Sequence, residues 1–166
     1  MAAVRAMTVA DLDAVMRLEL ATPEAPHWPR VVYEGFLSKD GPLKQIFVAE
    51  CGSRLTGFAA AGVAVDSCEL ESIVVEAAAR RIGIGKALLA TVIDWASRGH
   101  ALRIQLEVRS GNDSAVAFYW NAGFKRDGLR RAYYPDSEED ALLMSLALDS
   151  RPEDERCGGK LSRKSD

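Results

Sequence analysis

Residues Glu69–Leu89 read ELESIVVEAAARRIGIGKALL, and this stretch predicts the centre of the fold. It opens with an apolar, β-branched run, Ser72–Val75, which is typical of a strand. A loop with two glycines, Gly83 and Gly85, follows, and an amphipathic run begins directly after it. Strand, glycine loop and helix together can hold a phosphate, because unpaired N–H groups and the positive end of the helix dipole face the anion. Three cations surround the loop: Arg80, Arg81 and Lys86.

Two common nucleotide-binding motifs do not fit this loop. A Walker A loop requires a first glycine where Arg80 stands and Ser or Thr where Ala87 stands. A dinucleotide fingerprint requires a third glycine where Leu88 stands. The remaining pattern, Arg-x-x-Gly-x-Gly followed by a lysine, resembles the acetyl-CoA pyrophosphate loop of the GNAT N-acetyltransferases. A glycine-bearing strand-to-helix turn that binds nothing is the alternative.

Composition indicates one soluble domain with a substantial core. The chain has 166 residues, 48% of them hydrophobic, with a mean hydropathy of −0.06. Its net charge of −3 gives no general attraction to nucleic acid or anionic membranes. No run approaches the about 18 apolar residues of a membrane span, and the N-terminus turns acidic too early for a signal peptide. We therefore expect a cytoplasmic monomer or weak dimer without a direct nucleic-acid or membrane partner.

Cysteine and histidine usage argues against disulfide and metal chemistry. The three cysteines, Cys51, Cys68 and Cys157, are odd in number and widely spaced, which predicts free thiols. The two histidines, His27 and His100, are too few and too far apart to suggest a metal centre.

The N-terminal half predicts two helices and an antiparallel meander. Thr8 and Asp11 have the spacing of a helix start, and Thr22–Arg30 holds three prolines, which excludes regular structure there. We expect a strand at Ala3–Met7, helices ending near Ala21 and spanning about Arg30–Ser38, and strands at Gln45–Cys51 and Arg54–Val65. Short turns join these two strands to the strand of the opening stretch, so the three should pair antiparallel.

The C-terminal half predicts one parallel strand pair. Apolar residues recur with helical period from Gly83 to Arg98, and the next strand, Ala101–Val108, has Leu102, Ile104, Leu106 and Val108 on its core face. A strand-helix-strand crossover makes the flanking strands parallel. We further expect a helix at Ser114–Asn121 capped by Gly123, strands at Phe124–Arg131 and Ala141–Leu148, and a long loop over residues 132–140 between those strands.

The element order is thus β-α-α-β-β-β-α-β-α-β-β. It predicts a mixed α/β fold with a mostly antiparallel sheet, splayed at the parallel pair where the glycine loop sits, and helices on both faces. The domain should span residues 1–149, and the highly charged residues 150–166 should form a disordered tail.

Two side chains after the glycine loop suit acid–base chemistry in acyl transfer from a thioester to an amine. Glu107 lies near a strand end, where partial burial could raise its pKa and make it a base. Its alternative role is an ion pair with Arg103 or Arg109 on the same strand face. Tyr119, a phenol on the short helix, matches a thiolate leaving group in pKa and could act as the acid. Its alternative role is a core aromatic.

Other polar and aromatic side chains suggest ligand contacts. Asn112 could offer its amide to an extended amide-bearing ligand, although in isolation an ordinary turn or helix-cap role is the favoured explanation. Tyr133 and Tyr134 put two aromatics in a predicted loop, where they would form a recognition surface or fold back over the sheet. Trp28 lies in a kinked aromatic turn beside His27, which is as compatible with a surface position as with a base.

These residues together resemble the RimI-type group of the GNAT family, the ribosomal-protein-alanine N-acetyltransferases that modify the N-terminal amine of small-subunit protein S18. The resemblance is dense from about Leu70 to Leu146. Its motifs are the glycine loop, Leu106-Glu107-Val108-Arg109-x-x-Asn112, Ala117-Phe118-Tyr119, Ala122-Gly123-Phe124, and Arg130-Arg131-x-Tyr133-Tyr134-Pro135 with a later Glu139-Asp140-Ala141. The last is the most specific.

The resemblance implies a GNAT fold and an acetyl-CoA cofactor. By it, Ile73, Val74 and Val75 pair their backbone with the pantetheine arm. The pyrophosphate is cradled by Arg80, Arg81, Ile82, Gly83, Ile84, Gly85 and Lys86. Asn112 and Tyr119 also contact the cofactor, Glu107 is the general base and Tyr119 the general acid. Trp28, Tyr133 and Tyr134 line the substrate site.

The resemblance further implies direct attack in a ternary complex, with a protein N-terminus as substrate and no covalent intermediate. Three features depart from the family pattern: Ile82 stands where a polar residue or glycine is usual, Arg80 stands where glutamine is common, and the Pro-rich segment Thr22–Arg30 is longer. Acetylation of lysine side chains or small amines remains an alternative, as does a non-catalytic acyl-CoA-binding module.

Overall fold

The computed structural model describes residues 2–148, and the element order agrees with the prediction. The strands are β1 (Ala3–Ala6), β2 (Leu43–Cys51), β3 (Arg54–Ala64), β4 (Ser67–Val75), β5 (Arg103–Arg109), β6 (Lys125–Tyr134) and β7 (Glu139–Ala147). The helices are α1 (Leu12–Leu20), α2 (Arg30–Leu37), α3 (Ile84–Arg98) and α4 (Asp113–Asn121). The tail predicted for residues 150–166 lies outside the described residues.

One seven-stranded sheet runs through the molecule in the order β1-β2-β3-β4-β5-β7-β6. The meander of β2, β3 and β4 is antiparallel, as the short turns predicted. The pair of β4 and β5 is parallel, which confirms the crossover through α3. β7 lies between β5 and β6, so the C-terminal hairpin extends the sheet beyond the parallel pair.

The parallel pair is short, and the two strands separate along their length. Ser67–Glu69 pairs with Arg103–Gln105. Beyond this point β4 continues on β3 and β5 continues on β7. The predicted splay is therefore present, and it opens toward the carboxyl ends of β4 and β5, where the glycine loop begins.

Helices cover both faces of the sheet and divide the core in two. Alternation along β3 sends Ala59 and Ala61 to a cluster with α3 and α4, and Phe58 and Ala60 to a cluster with α1 and α2. We call these the α3 face and the α1–α2 face. Gly57 lets α3 approach closely, because a Cβ there would lie 3.2 Å from side-chain carbons of Ile84 and Leu88 and 2.9 Å from a β4 carbonyl oxygen.

The helix start predicted at Thr8 and Asp11 is present with one modification. The Asp11 carboxylate accepts hydrogen bonds from the Thr8 N–H at 2.8 Å and from Arg5 at 2.7 and 2.8 Å. A single 3-10 turn, Val9–Asp11, precedes α1. The Arg5 guanidinium holds the pKa of the Asp11 carboxyl well below its usual range, which ties β1 to the start of α1.

Two boundaries differ from the prediction. Leu102 is not a core residue of β5: it precedes the strand and is 48% exposed, because its N–H donates to the Asp66 carbonyl and His100 before it is left-handed. The strand β6 extends through Tyr134, so the loop predicted over residues 132–140 is only a turn at 135–138. Tyr134 pairs with Glu139, and the Ala132 N–H donates to Asp140 Oδ1 at 2.8 Å.

Candidate active site

The glycine loop ends at the N-terminus of α3, as predicted. Gly83 is the N-cap residue with φ of 92°, a left-handed conformation that favours glycine. A Cβ at Gly83 would meet no atom within 4 Å, so the loop is open on that side. Ile84 is buried under the loop and anchors it, whereas Arg81, Ile82 and Lys86 are exposed. Open N–H groups with exposed cations form a cradle suited to a pyrophosphate.

Arg80 fixes the loop to its surroundings. Its Nε donates to the Val75 carbonyl at 3.0 Å, and its Nη2 lies 3.6 Å from the Glu24 carboxylate. Glu24 belongs to the Pro-rich segment between α1 and α2. The side chain thereby connects the end of β4, the glycine loop and the Pro-rich segment.

The end of β4 offers a strand edge toward the splay. Ile73, Val74 and Val75 pair with Ala59, Phe58 and Gly57 of β3 on one side only. The β5 register ends at Glu69, so within residues 2–148 no strand covers the other side of this stretch. Such an edge can pair with an extended, amide-bearing ligand.

Glu107 lies on β5 on the α1–α2 face, because Leu106 and Val108 beside it belong to the core of the α3 face. Its side chain is 22% exposed, and Oε1 lies 3.3 Å from Arg130 Nη2. The alternative role predicted an ion pair of Glu107 with Arg103 or Arg109, and these partners were wrong. Arg109 bonds instead to Asp136 and Glu139. Glu107 is thus half-buried and paired across the sheet with β6.

Tyr133 completes a small polar group around Glu107. The Glu107 carboxylate raises the pKa of the Tyr133 phenol, and the Arg130 guanidinium lies 5.4 Å from the Tyr133 ring centroid. The ring is 43% exposed. A carboxylate, a phenol and a guanidinium therefore share one surface of the α1–α2 face, where an ammonium group could be received.

Tyr133 and Tyr134 lie at the end of β6 rather than in the predicted loop. Their rings are edge to face with centroids 5.1 Å apart. Tyr134 is half-buried beneath the Arg109 guanidinium, which lies 4.0 Å from its ring centroid. Strand geometry and cation stacking hold the pair more firmly than a loop would.

Tyr119 is buried on α4, packed between Phe118 and Phe124 at centroid distances of 5.2 and 5.5 Å. Burial raises the pKa of its phenol well above the ordinary value, so the hydroxyl stays protonated. The core-aromatic alternative describes its packing, and the acid role stays a prediction. Tyr119 belongs to the α3 face, opposite Glu107.

Asn112 is the N-cap of α4, as its alternative role proposed. Its Oδ1 accepts the Ala115 N–H at 3.2 Å. The helix that it starts lies beside the glycine loop, since a Cβ on Gly85 would lie 3.4 Å from the Phe118 ring. A contact between Asn112 and the cofactor stays a prediction.

Trp28 is held in place by a buried carboxylate that sequence reasoning missed. Its backbone N–H donates to Glu19 Oε1 at 3.0 Å, and its ring packs on Tyr33 and Phe36. His27 is exposed, with Nδ1 3.7 Å from Glu19 Oε2. The place of Glu19 beside Leu12, Val15 and Leu18 on the apolar stripe of α1 indicates burial, but the sequence does not indicate which N–H it binds.

Three charged residues have no predicted role in catalysis or binding: Arg109, Arg130 and Glu139. Arg130 and Glu139 occur only within a motif of the resemblance, and Arg109 occurs within a motif and as a possible partner of Glu107. Arg130 pairs with Glu107, and Glu139 bonds both Arg109 and the Gly111 N–H. Pairing across β5, β7 and β6 brings them together, which spacing along the chain does not reveal.

Residues 2–148 contain no group of three or more His, Cys, Asp or Glu that could hold a metal ion. Cys51 and Cys68 are free thiols. No helix in the described part of the chain combines the length and apolar character needed to cross a membrane.

Comparison with known proteins agrees with this geometry. The acetyltransferase (GNAT) family model matches residues 12–124. The ribosomal protein bS18-alanine N-acetyltransferase of Escherichia coli is 31% identical over 147 residues, which cover 87% of this chain and 97% of that protein. The N-alpha-acetyltransferase RimI of Mycobacterium tuberculosis is 35% identical over 145 residues, 84% of this chain and 88% of that protein.

A solved structure is similar over nearly the whole fold. The crystal structure of the ribosomal-protein-S18-alanine N-acetyltransferase from Escherichia coli superposes with a TM-score of 0.80 at 29% identity, covering 92% of this chain and 97% of that one. With the splayed sheet, the glycine loop and these similarities in agreement, the chain belongs to the acetyltransferase (GNAT) family.

Proposed function

We propose that the chain transfers an acetyl group from acetyl-CoA to the N-terminal α-amine of a protein, with ribosomal protein S18 as the leading substrate. The observation that carries this proposal is the splay between β4 and β5, with a half-buried carboxylate on one face and a buried phenol on the other. The substrate is taken from the names of the E. coli relatives, which are similar along most of the chain.

The residues on the α3 face fit a CoA thioester. The left-handed Gly83 leaves open space where an anion would approach the first N–H groups of α3. Arg81 and Lys86 are exposed around that space, and the free edge of β4 at Ile73–Val75 is available to a pantetheine arm. When bound there, acetyl-CoA supplies an acetyl group activated as a thioester.

Glu107 takes the proton from the attacking ammonium. It is half-buried, and its two neighbours on the α1–α2 face, Arg130 and Tyr133, fix the carboxylate in position. An N-terminal ammonium has a pKa near 8, so a single carboxylate with water can release the amine at neutral pH. Tyr133, Tyr134 and Trp28 line the peptide side of this position.

Tyr119 protonates the departing thiolate from the α3 face. Its buried hydroxyl remains protonated over the working pH range because burial raises its pKa. The base and the acid then act from opposite faces of the sheet, so both substrates are bound together and the amine attacks directly.

A covalent acetyl-enzyme formed through Cys68 is disfavoured. Cys68 is fully buried, and burial raises the pKa of its thiol to about 12, which leaves almost no thiolate at neutral pH. We expect the enzyme to act in the cytoplasm as a monomer or weak dimer.

The test uses peptides and a mass-shift readout. A peptide beginning Ala-Arg-Tyr should gain one acetyl group on its α-amine, located by fragment masses, and the same peptide blocked at its N-terminus should gain none. Equal acetylation of blocked, lysine-containing peptides would move the assignment to side-chain chemistry. Binding of CoA without turnover on any amine would point to a non-catalytic module.

A further inference from the structure

Glu139, the first residue of β7, bonds two parts of the site at once. Its Oε1 accepts the Gly111 N–H at 2.7 Å, and its Oε2 lies 3.4 Å from Arg109 Nη1. The side chain is 27% exposed. The two contacts lead in different directions, one toward α4 and one toward β6.

The contact with Arg109 leads to the aromatic pair of Tyr133 and Tyr134. The Arg109 guanidinium lies 4.0 Å from the Tyr134 ring centroid, so its position sets the position of that ring. Asp136 also accepts from both Arg109 nitrogens, at 3.1 to 3.2 Å, from the exposed turn between β6 and β7. Arg109 is therefore held by two carboxylates, of which Glu139 is the less exposed.

The contact with the Gly111 N–H leads to the start of α4. Gly111 immediately precedes Asn112, the N-cap residue of that helix. A Cβ on Gly111 would lie 2.7 Å from Glu139 Oε1, closer than real Cβ contacts allow. Its φ is not positive, so a Cβ at this position would displace the carboxylate and would not strain the backbone. The turn and Glu139 fit together only when residue 111 has no side chain.

We propose that Glu139 is a positioning residue that fixes the peptide side of the site relative to the cofactor side. It acts through two sets of contacts, which we call arms: Arg109 and Tyr134 form the Arg109 arm, and Gly111 and Asn112 form the Gly111 arm. This role rests on the proposed function, because the arms matter for catalysis only if Tyr134 meets peptide and Asn112 meets CoA. It also gives a structural role to the Glu139-Asp140 motif, in which the Asp140 carboxylate accepts a hydrogen bond from the Ala132 N–H.

The two arms can be separated by substitution. Glu139→Ala removes both contacts and leaves the Gly111 N–H without its acceptor. Glu139→Gln keeps a carbonyl oxygen for Gly111 and removes the charge that pairs with Arg109. Asp136→Ala weakens only the Arg109 arm and is the matched control.

The experiment measures CoA binding by calorimetry and the peptide KM by turnover, on the full chain. Glu139→Ala should weaken CoA binding by about fivefold and raise the peptide KM by about five- to tenfold, as expected when a hydrogen bond to a charged group is lost. Glu139→Gln should raise the peptide KM and leave CoA binding within about twofold. Asp136→Ala should leave CoA binding unchanged and raise the peptide KM by at most about threefold.

A second variant tests the Gly111 arm without altering the carboxylate. Gly111→Ala should push Glu139 aside and weaken CoA binding as Glu139→Ala does, with a melting temperature that shows a folded protein. CoA binding unchanged in both Glu139→Ala and Gly111→Ala would overturn the positioning role. If the wild type binds CoA but leaves the peptide unmodified, the proposed function fails, and the difference in CoA binding between Glu139→Ala and Glu139→Gln still decides the Gly111 arm.

Discussion

The two faces of the sheet at the splay are built in different ways. On the α3 face, the glycine loop, the end of β4 and the start of α3 come from one stretch of 21 residues, Glu69–Leu89, and the proposed cofactor contacts there are mainly backbone groups. On the α1–α2 face, Glu107, Arg130 and Tyr133 come from β5 and β6, which β7 separates. The proposed cofactor side is thus built from residues close in sequence, whereas the proposed amine side is built from side chains of separate strands.

This difference predicts how each face responds to substitution. With the exception of Tyr119, a side chain on the α3 face can be replaced with little loss of cofactor binding unless the backbone conformation changes, because the backbone groups remain. A single side-chain change on the α1–α2 face removes a chemical group that nothing else supplies. The expected effects below run from the largest to the smallest.

The largest effect is expected at Glu107. Glu107→Gln removes the base while keeping size and a hydrogen-bonding oxygen, so kcat should fall by roughly 10²- to 10⁴-fold with little change in the acetyl-CoA KM. Initial rates with the Ala-Arg-Tyr peptide measure this. The same substitution at Glu34, exposed on α2, is the control and should stay within about twofold of wild type. Near wild-type turnover by Glu107→Gln would show that Glu107 is not the general base.

The next largest effect is expected at Tyr119, which lies on the α3 face. Tyr119→Phe keeps the packing between Phe118 and Phe124 but removes the proton donor, so kcat should fall by roughly 10²-fold or more.

Tyr33→Phe is the matched control. Tyr33 is fully buried in the core of the α1–α2 face, and its hydroxyl has no role in the proposed chemistry, so Tyr33→Phe should leave kcat unchanged. Equal rates in the two variants would return Tyr119 to a packing role alone.

Gly83 tests the backbone character of the cofactor face. Gly83→Ala forces a side chain into a left-handed conformation, which costs about 1–2 kcal/mol and should raise the acetyl-CoA KM roughly five- to thirtyfold, with kcat nearly unchanged. Gly35→Ala on α2, where nothing lies within 4 Å of the new Cβ and φ is ordinary, should leave both constants unchanged. If Gly83→Ala lowered kcat and left the acetyl-CoA KM unchanged, the proposal that this loop serves only cofactor binding would be contradicted.

The smallest effect is expected at Tyr133. Tyr133→Ala removes an aromatic contact for the peptide and should raise the peptide KM about five- to tenfold while leaving the acetyl-CoA KM unchanged. Trp120→Ala is the control, because Trp120 is an aromatic residue on α4 that is 61% exposed, and it should leave the peptide KM unchanged. If Tyr133→Ala changed the acetyl-CoA KM instead, Tyr133 would belong to the cofactor side.

The same difference explains how far sequence reasoning reached. The sequence predicted the element order, the parallel strand pair and the glycine loop. The signals for these features are local: the period of the apolar residues, the turn residues and the spacing of the glycines. The start of α3 directly after Gly83 is such a case, since residues close together in the sequence carry its signal.

The contacts on the α1–α2 face could not be predicted in this way. The pairing of Glu107 with Arg130 joins positions 23 residues apart, and it arises only because β7 enters between β5 and β6. The extension of β6 through Tyr134 likewise depends on Asp140 and Glu139 of the partner strand. Glu19 was missed because a carboxylate on an apolar stripe has no local signature of the N–H that it will accept.

The most direct test of the two-face account is a two-substrate initial-rate measurement. Acetyl-CoA and the Ala-Arg-Tyr peptide are varied against each other with the wild-type chain. If both substrates are held at once on opposite sides of the splay, double-reciprocal plots should intersect. Parallel lines, together with an acetylated enzyme seen by intact mass in the absence of peptide, would contradict the account.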